Sequence, residues 1–339
     1  MNLYVHFPFC RGKCAYCALY SRTGVSASAR DAYVEALADQ FHTESTNRRI
    51  DEFSAVYFGG GSPALCDLKP VFAALAPRLG ADTEFTVELH PLDVNERTLS
   101  TLRAGGVNRI SMGVQSLDDR ILAAMGRGYS AVQAARAFAL VKRYFDNAGI
   151  DLIEGYPGST ARVCDEGELS SWGLRHCSVY SLQNERGLAD VPDDEVTLDR
   201  IREDAAALKT LGLERYEISN YAAPGCECRH NLAVWRGEDY LGLGEGACGR
   251  IGLLRTTGVR GQTAAVEYRE ERVDEATDRK ERTLFRLRTR EGLDTSDFPE
   301  WRETLDRFVA EGLLTRREEI YFLTLRGTEV CDSILAEIV

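Results

Sequence analysis

Three cysteines stand in the run His6-Phe7-Pro8-Phe9-Cys10-Arg11-Gly12-Lys13-Cys14-Ala15-Tyr16-Cys17, directly after the apolar stretch Leu3 to Phe7. Their spacing is C-x3-C-x2-C. Iron–sulfur clusters are normally held by four cysteine thiolates, and three in so short a loop hold three irons of a cubane [4Fe–4S] cluster. The fourth iron is then left open, and an open coordination position binds and activates a small molecule, as at catalytic zinc. A zinc site completed by His6 or His230 is the competing reading. A disulfide framework does not suit a large chain whose other cysteines (66, 164, 177, 226, 228, 248 and 331) are scattered, and whose Met1 runs straight into the first strand without a leader. Those seven read as small buried hydrophobes, Cys226 and Cys228 being the one close pair.

The elements that would position this loop alternate along the first two-thirds of the chain. Strand patterns fall at Leu3–Phe7, Ala55–Phe58, Glu84–Leu89, Arg109–Val114, Ile150–Ile153, Ser178–Leu182 and Tyr216–Ile218. Helical patterns fall at Ala29–Thr46 with Ser28 as cap, Leu68–Leu79 with Pro70 in its first turn, Glu96–Ala104 closed by Gly105-Gly106, Ser130–Phe145, Glu166–Gly173 and Asp194–Leu211. Strand–helix repetition predicts a parallel sheet with right-handed crossovers. Six units are visible, so the expectation is an α/β fold with a partial (β/α)6 barrel.

Barrel chemistry sits at the C-terminal ends of the strands. The cysteine loop follows the first strand, and Gly59-Gly60-Gly61 ends the second. Glu88 ends the third and Gln115 lies just past the fourth, with Asp151 in the fifth and Tyr180 in the sixth. Together they describe one rim facing one cavity. Beyond a polar, charged stretch (Arg255 to Arg279) come helix patterns around Leu284 and Leu305, the run Tyr321-Phe322-Leu323 and a last helix. This resembles a small, mostly helical, winged-helix-like unit, a cover or docking module. The predicted division is 1–220 for the core barrel, 221–275 for a connector and 276–339 for the cover.

A net charge of −12 argues against a nucleic-acid partner, which needs a basic stripe to displace phosphate counterions. No apolar run approaches the ~20 residues of a membrane span. Without a leader, the expected location is the cytoplasm.

The cysteine loop with Tyr16 before its third cysteine, followed after the next strand by Gly59-Gly60-Gly61-Ser62-Pro63, resembles the radical S-adenosylmethionine (SAM) superfamily. The stretches Tyr4–Cys10, Gly105–Ser116, Ile150–Gly158 and Tyr216–Tyr221 are similar to its oxygen-independent coproporphyrinogen III oxidase-like branch, so the resemblance covers nearly the whole chain. Arg229-His230-Asn231-Leu232-Ala233-Val234-Trp235 resembles the haem chaperone subgroup of that branch, HemW, whose motif H-N-x-x-Y-W carries Tyr where this chain has Val234. The decarboxylating members resemble it less: they carry an extension ahead of the cluster and a further cysteine where this chain has Leu19.

The resemblance implies residue roles. Cys10, Cys14 and Cys17 would ligate the cluster, whose open iron chelates the SAM methionine and whose electron cleaves SAM to a 5′-deoxyadenosyl radical where chemistry occurs. Tyr4, Tyr16, Gly60, Gly61, Ser62, Glu88, Gln115, Arg127 and Asp151 would be the SAM residues, Arg127 pairing with the SAM carboxylate. Without the family, three glycines read as a tight turn and Arg127 as a surface ion pair. His230 and Trp235 are the haem candidates, as axial ligand and stacking partner, with Cys226 or Cys228 the competing thiolate. Haem would be cargo, handed to a membrane-bound or respiratory haem protein. The other reading is an enzyme, either the oxidative decarboxylase of coproporphyrinogen III or a related porphyrin-modifying catalyst.

Overall fold

The protein is described by a computed structural model covering residues 1–262 and 265–338. Six strands run parallel in chain order: β1 (Asn2–Phe7), β2 (Phe53–Gly60), β3 (Leu79–Leu89), β4 (Arg109–Gln115), β5 (Asn147–Glu154) and β6 (His176–Ser181). They are connected through α1 (Ala27–Asn47), α2 (Lys69–Leu75), α3 (Glu96–Ala104), α4 (Asp119–Met125), α5 (Ala131–Lys142) and the short α6 (Glu166–Leu169). After β6 come α7 (Asp194–Thr210), β7 (Glu214–Arg215) and β8 (Asn220–Ala222), and β8 pairs antiparallel with β6 and β7. Then α8 (Arg229–Trp235) leads to β9 (Tyr240–Leu243), which returns to pair parallel with the free side of β1. Strands β10 (Cys248–Ile251), β11 (Leu254–Arg260) and β12 (Val266–Arg272) continue from it as an antiparallel meander. The twelve-stranded sheet is open, with β12 and β7 at its edges.

Side chains alternate between the two faces of a strand, and here the two faces differ in chemistry. Leu3, Val5, Phe7, Val56, Phe58, Phe85, Val87, Ile110, Met112, Ile150 and Leu152 belong to one buried cluster beneath the helices. The alternate residues Tyr4, His6, Tyr57, Glu84, Glu88, Arg109, Ser111, Asp151, His176, Ser178 and Tyr180 are polar. Parallel sheets usually bury apolar side chains on both faces, so a polar concave face marks a surface shaped to hold a ligand.

The C-terminal region has its own apolar cluster around Leu287, Trp301, Leu305, Phe308, Tyr321 and Ile334. It comprises α9 (Glu275–Leu284), β13 (Leu293–Asp294), α10 (Arg302–Ala310), β14 (Leu314–Arg317), β15 (Ile320–Leu323), α11 (Leu325–Glu329) and α12 (Cys331–Ile338). Its three strands pair in the order β13-β15-β14.

Several local expectations are corrected. Helix α1 is capped by Ser26, whose hydroxyl accepts from the Ala29 amide at 3.3 Å, rather than by Ser28. Tyr216–Ile218 is the turn between β7 and β8 rather than a strand, with the Tyr216 amide donating to the Asn220 carbonyl at 3.1 Å. The charged stretch after Arg255 contains β11 and β12, whose many polar and charged residues suit a strand pair largely open to solvent.

Candidate functional site

The cysteine loop leaves β1 and closes at its neck, where the Cys10 amide donates to the Arg22 carbonyl at 2.9 Å. Lys13 Nζ donates to the Leu19 carbonyl at 2.6 Å and Ser21 Oγ at 2.8 Å, bracing the loop from within. The Ala15 amide donates to the Met125 carbonyl at 3.2 Å, and Arg11 pairs with the buried Asp93. Cys10, Cys14 and Cys17 are free, half-buried thiols. Burial and the two neighbouring cysteines push the Cys10 thiol up. All three line a cavity of about 1160 Å³, larger than the ~300–1,000 Å³ usual for small-molecule pockets.

Tyr16, Gly60, Gly61, Ser62, Glu88, Gln115, Arg127 and Asp151 line the same cavity. Tyr4 does not. Its hydroxyl bonds His6 Nδ1 at 2.9 Å, and its ring stacks against those of Tyr57 and His230.

The glycine run is packed tightly against β1. A Cβ on Gly61 would lie 2.5 Å from the Phe9 carbonyl oxygen. The Gly60, Gly61 and Ser62 amides donate to Glu88 Oε2, the Phe7 carbonyl and the Phe9 carbonyl, at 3.0, 2.8 and 2.7 Å. These amides are occupied, so the run has no free N–H to offer a ligand.

Glu88 also accepts from the Tyr57 hydroxyl at 2.8 Å. Burial, with the Asp151 charge nearby, pushes Glu88 up to about 7 against the pull of those donors. Asp151 is raised too, chiefly by burial, although Ser178 and Ser111 donate to it at 2.7 and 3.0 Å. A folded pKa above the unfolded one means that the folded state holds the proton more tightly. This penalty is absent below about 4.5 and grows as pH rises through about 7. Glu88→Gln is therefore expected to raise the melting temperature of the ligand-free protein at pH 8, by about 1–2 kcal/mol of stability after screening by cavity water. The gain should shrink towards pH 5; melting curves at both values check it, and a gain that grows on acidification refutes the assignment.

Gln115 takes a left-handed backbone (φ 73°) at a register shift between β4 and β5. Strain of this kind persists only where surrounding structure enforces it. Arg127 follows Gly126, whose left-handed conformation (φ 79°) ends α4 and turns the chain into the cavity. Arg127 is buried, with Nε donating to Tyr129 Oη at 2.8 Å, Nη2 to the Gly113 carbonyl at 2.6 Å and Nη1 to Cys14 Sγ at 3.5 Å. Among the described residues no carboxylate makes an ion-pair contact with it, although its charge acts on Asp151 across the cavity. The surface ion-pair reading is thus replaced by a buried cation, which is costly unless an anion joins it.

The donor set fits an iron–sulfur cluster and SAM. Three thiols and a guanidinium with no carboxylate in ion-pair contact among the described residues suit an anionic cluster and a carboxylate, while Glu88 suits an amine. Among the described residues no three His, Cys, Asp or Glu side chains converge on one metal-ion position. A cubane, in which each cysteine meets a different iron, does not require that convergence.

These features are shared with proteins of known family. The model of the radical SAM superfamily matches residues 4–164. The haem chaperone HemW of Escherichia coli K12 is 30% identical, covering 99% of this chain and 97% of that protein. HemW of Mycobacterium tuberculosis H37Rv is 31% identical, covering 98% and 93%. The chain belongs to the HemW family of radical SAM proteins. The solved coproporphyrinogen III oxidase HemN of Escherichia coli superposes with a TM-score of 0.82 at 21% identity, over 99% of this chain and 89% of that one, and so shares the fold.

In this HemW-family chain the motif segment forms α8. His230 is buried, its ring within 5.3 Å of Tyr57 and 6.0 Å of Tyr240, centroid to centroid. It lines a second cavity of about 350 Å³, which shares Tyr57, Glu88, Tyr180, Ile218, Ser219 and Arg288 with the first. His230 Nδ1 is buried without a hydrogen-bond partner among the described residues. Burial, aided by the Arg109 charge, brings His230 down to about 4, so the imidazole is neutral at pH 7. Trp235 also lines the second cavity, but Arg288 lies over its ring at 4.9 Å and Phe285 meets it edge-on. Cys226 and Cys228 line neither cavity, and burial pushes the Cys228 thiol up to about 12. Val234, where the motif carries Tyr, also lines the second cavity.

Sequence reasoning missed the partners Tyr57, Ser111 and Ser178, and the interior cation Arg109. Polar residues at alternate positions of otherwise apolar strands were the signal available.

Proposed function

We propose that this chain is a haem chaperone of the radical SAM type, which binds haem beside a [4Fe–4S] cluster and SAM and delivers it to a respiratory or other membrane-bound haem protein. The observation that carries the proposal is His230: a neutral imidazole that lines a cavity sharing lining residues with the thiol-lined one, and whose buried Nδ1 has no hydrogen-bond partner among the described residues. Neutral imidazole is the metal-binding form. The smaller cavity takes one edge of a macrocycle, so a haem on His230 extends across the shared wall into the larger space. Trp235, already covered by Arg288, would bound the pocket rather than stack freely on the porphyrin face.

Cys10, Cys14 and Cys17 would hold the cluster. Gly60, Gly61, Ser62 and Glu88 would hold the SAM amine, Arg127 the SAM carboxylate, and Gln115 and Asp151 the nucleoside. Tyr16 would cover the cluster, and Tyr4 would fix the wall between the two cavities. When bound, cluster and SAM supply one-electron chemistry; the protein orients both and shields them from water. Residues 1–220 would be the core barrel, 221–275 the haem-motif segment and 276–339 the cover. Among the described residues no helix is long and apolar enough to cross a membrane; a cytoplasmic carrier with peripheral membrane contact is the proposed setting.

The test is an anaerobic haem titration of the cluster-reconstituted protein, followed by Soret absorbance and compared with His230→Ala. Stoichiometric binding weakened about tenfold or more by the substitution supports the reading and places the ligand. Binding unaffected by it moves the ligand elsewhere. Absence of specific binding refutes the chaperone. One observation favours a second reading, oxidative decarboxylation of coproporphyrinogen III: the complete set of candidate cluster residues, and all the SAM candidates except Tyr4, line a single cavity. Turnover of that substrate with SAM and a reductant would establish it.

A further inference from the structure

The wall of the large cavity formed with the C-terminal region carries two arginines that the cluster and SAM do not use. Arg215, on β7, donates from Nη1 to Thr328 Oγ1 at 3.0 Å and faces the cavity. Among the described residues it has no carboxylate partner. Arg288 lines both cavities, lies over Trp235, and pairs with Asp332, whose side chain is 82% exposed. An ion pair so open to water is weak and readily gives way to a better-placed anion. The nearby Glu329 is already taken by Arg202 through two contacts of 2.6 Å, so it does not neutralise Arg215. The lining of the same cavity also includes the apolar side chains of Leu198, Ile201, Ile218 and Val330.

Apolar side chains and two cations lining one cavity match a flat apolar ligand that carries carboxylates. We infer that Arg215 and Arg288 bind the two propionates of the tetrapyrrole, fixing its orientation with the carboxylate edge against the C-terminal region. The inference rests on the haem-chaperone reading and adds which edge is recognised, and by what. Guanidinium is the side chain suited to carboxylate, because its planar fork can donate two parallel hydrogen bonds.

The full, cluster-reconstituted chain is titrated with haemin and, separately, with haemin dimethyl ester, which has the same macrocycle without propionate charge. Wild type should bind haemin about tenfold or more tightly than the ester, one charge-assisted hydrogen bond being worth about that factor. Arg215→Gln and Arg288→Gln should each weaken haemin about tenfold and leave the ester within about twofold, with Arg215→Lys partly restoring haemin. Equal affinity of wild type for haemin and ester overturns the inference without needing any variant. Variants that weaken both ligands alike also overturn it. If wild type binds neither, the chaperone reading fails and the inference with it.

Discussion

Serine in place of Cys14 is expected to abolish cluster assembly. Anaerobically reconstituted wild type should carry about four irons per chain with the broad visible absorption of a [4Fe–4S] cluster. Cys14→Ser should fall below about one iron and lose that absorption, because a three-cysteine clip has no spare ligand and a serine oxygen is a poor thiolate substitute for iron. Cys14 also touches Arg127 Nη1 at 3.5 Å, so it links the cluster position to the buried cation expected to receive the SAM carboxylate. The controls are Cys66→Ser and Cys248→Ser, which alter free thiols outside the cavity lining and should retain full iron. Full iron content and an unchanged spectrum in Cys14→Ser would refute the cluster assignment.

Alanine at Gly60 should do comparable damage by a different route. Gly60 has φ 102°, and a Cβ there would lie 2.3 to 2.6 Å from three atoms of the His6 ring. His6 has little room to retreat: Nδ1 meets the Tyr4 hydroxyl at 2.9 Å and Nε2 the Tyr20 carbonyl at 3.0 Å. Displacing the ring breaks both contacts and disturbs Tyr20 to Arg22, the return arm on which Cys10 is anchored. Backbone strain and overpacking together should cost about 2–4 kcal/mol. Gly212→Ala separates the two contributions, since Gly212 has φ 77° but nothing within 4 Å of the added carbon. It should cost only about 1–2 kcal/mol, the price of the left-handed backbone. Urea melts of the cluster-free proteins give both values; equal losses would mean that contact with His6 contributes nothing.

Why part of the site was legible in sequence follows from its position in the fold. Glu88, Gln115 and Asp151 could be placed on one rim because strand period and strand–helix order act locally, and parallel connectivity then brings like strand ends together. The partners of those residues were not legible. Tyr57 is thirty-one residues from Glu88, and Ser111 is forty from Asp151; register alone joins them. Strand β12 was missed because its sequence is polar and mostly exposed, whereas β9 (Tyr240–Leu243) is apolar and buried but only four residues long, and it acquires its identity from pairing with β1, more than two hundred residues earlier. Arg127 was misread without the family because burial is a property of the packed molecule: nothing near it in sequence shows that α4 turns it inward without a carboxylate.

By itself the sequence determined the thiol spacing, the strand–helix order, the apolar stripes that cover the sheet and the strand-end positions of the candidate ligands. Each of these depends on residues a few positions apart, where chain geometry leaves few choices. Tertiary structure alone decided that the sheet stays open with β9 against β1, that the amides of the glycine run are taken, and that His230 is neutral beside a second cavity. It also decided that Arg215 faces the larger cavity with no carboxylate partner among the described residues. Those outcomes depend on which distant groups exclude water from one another, and no local pattern encodes that.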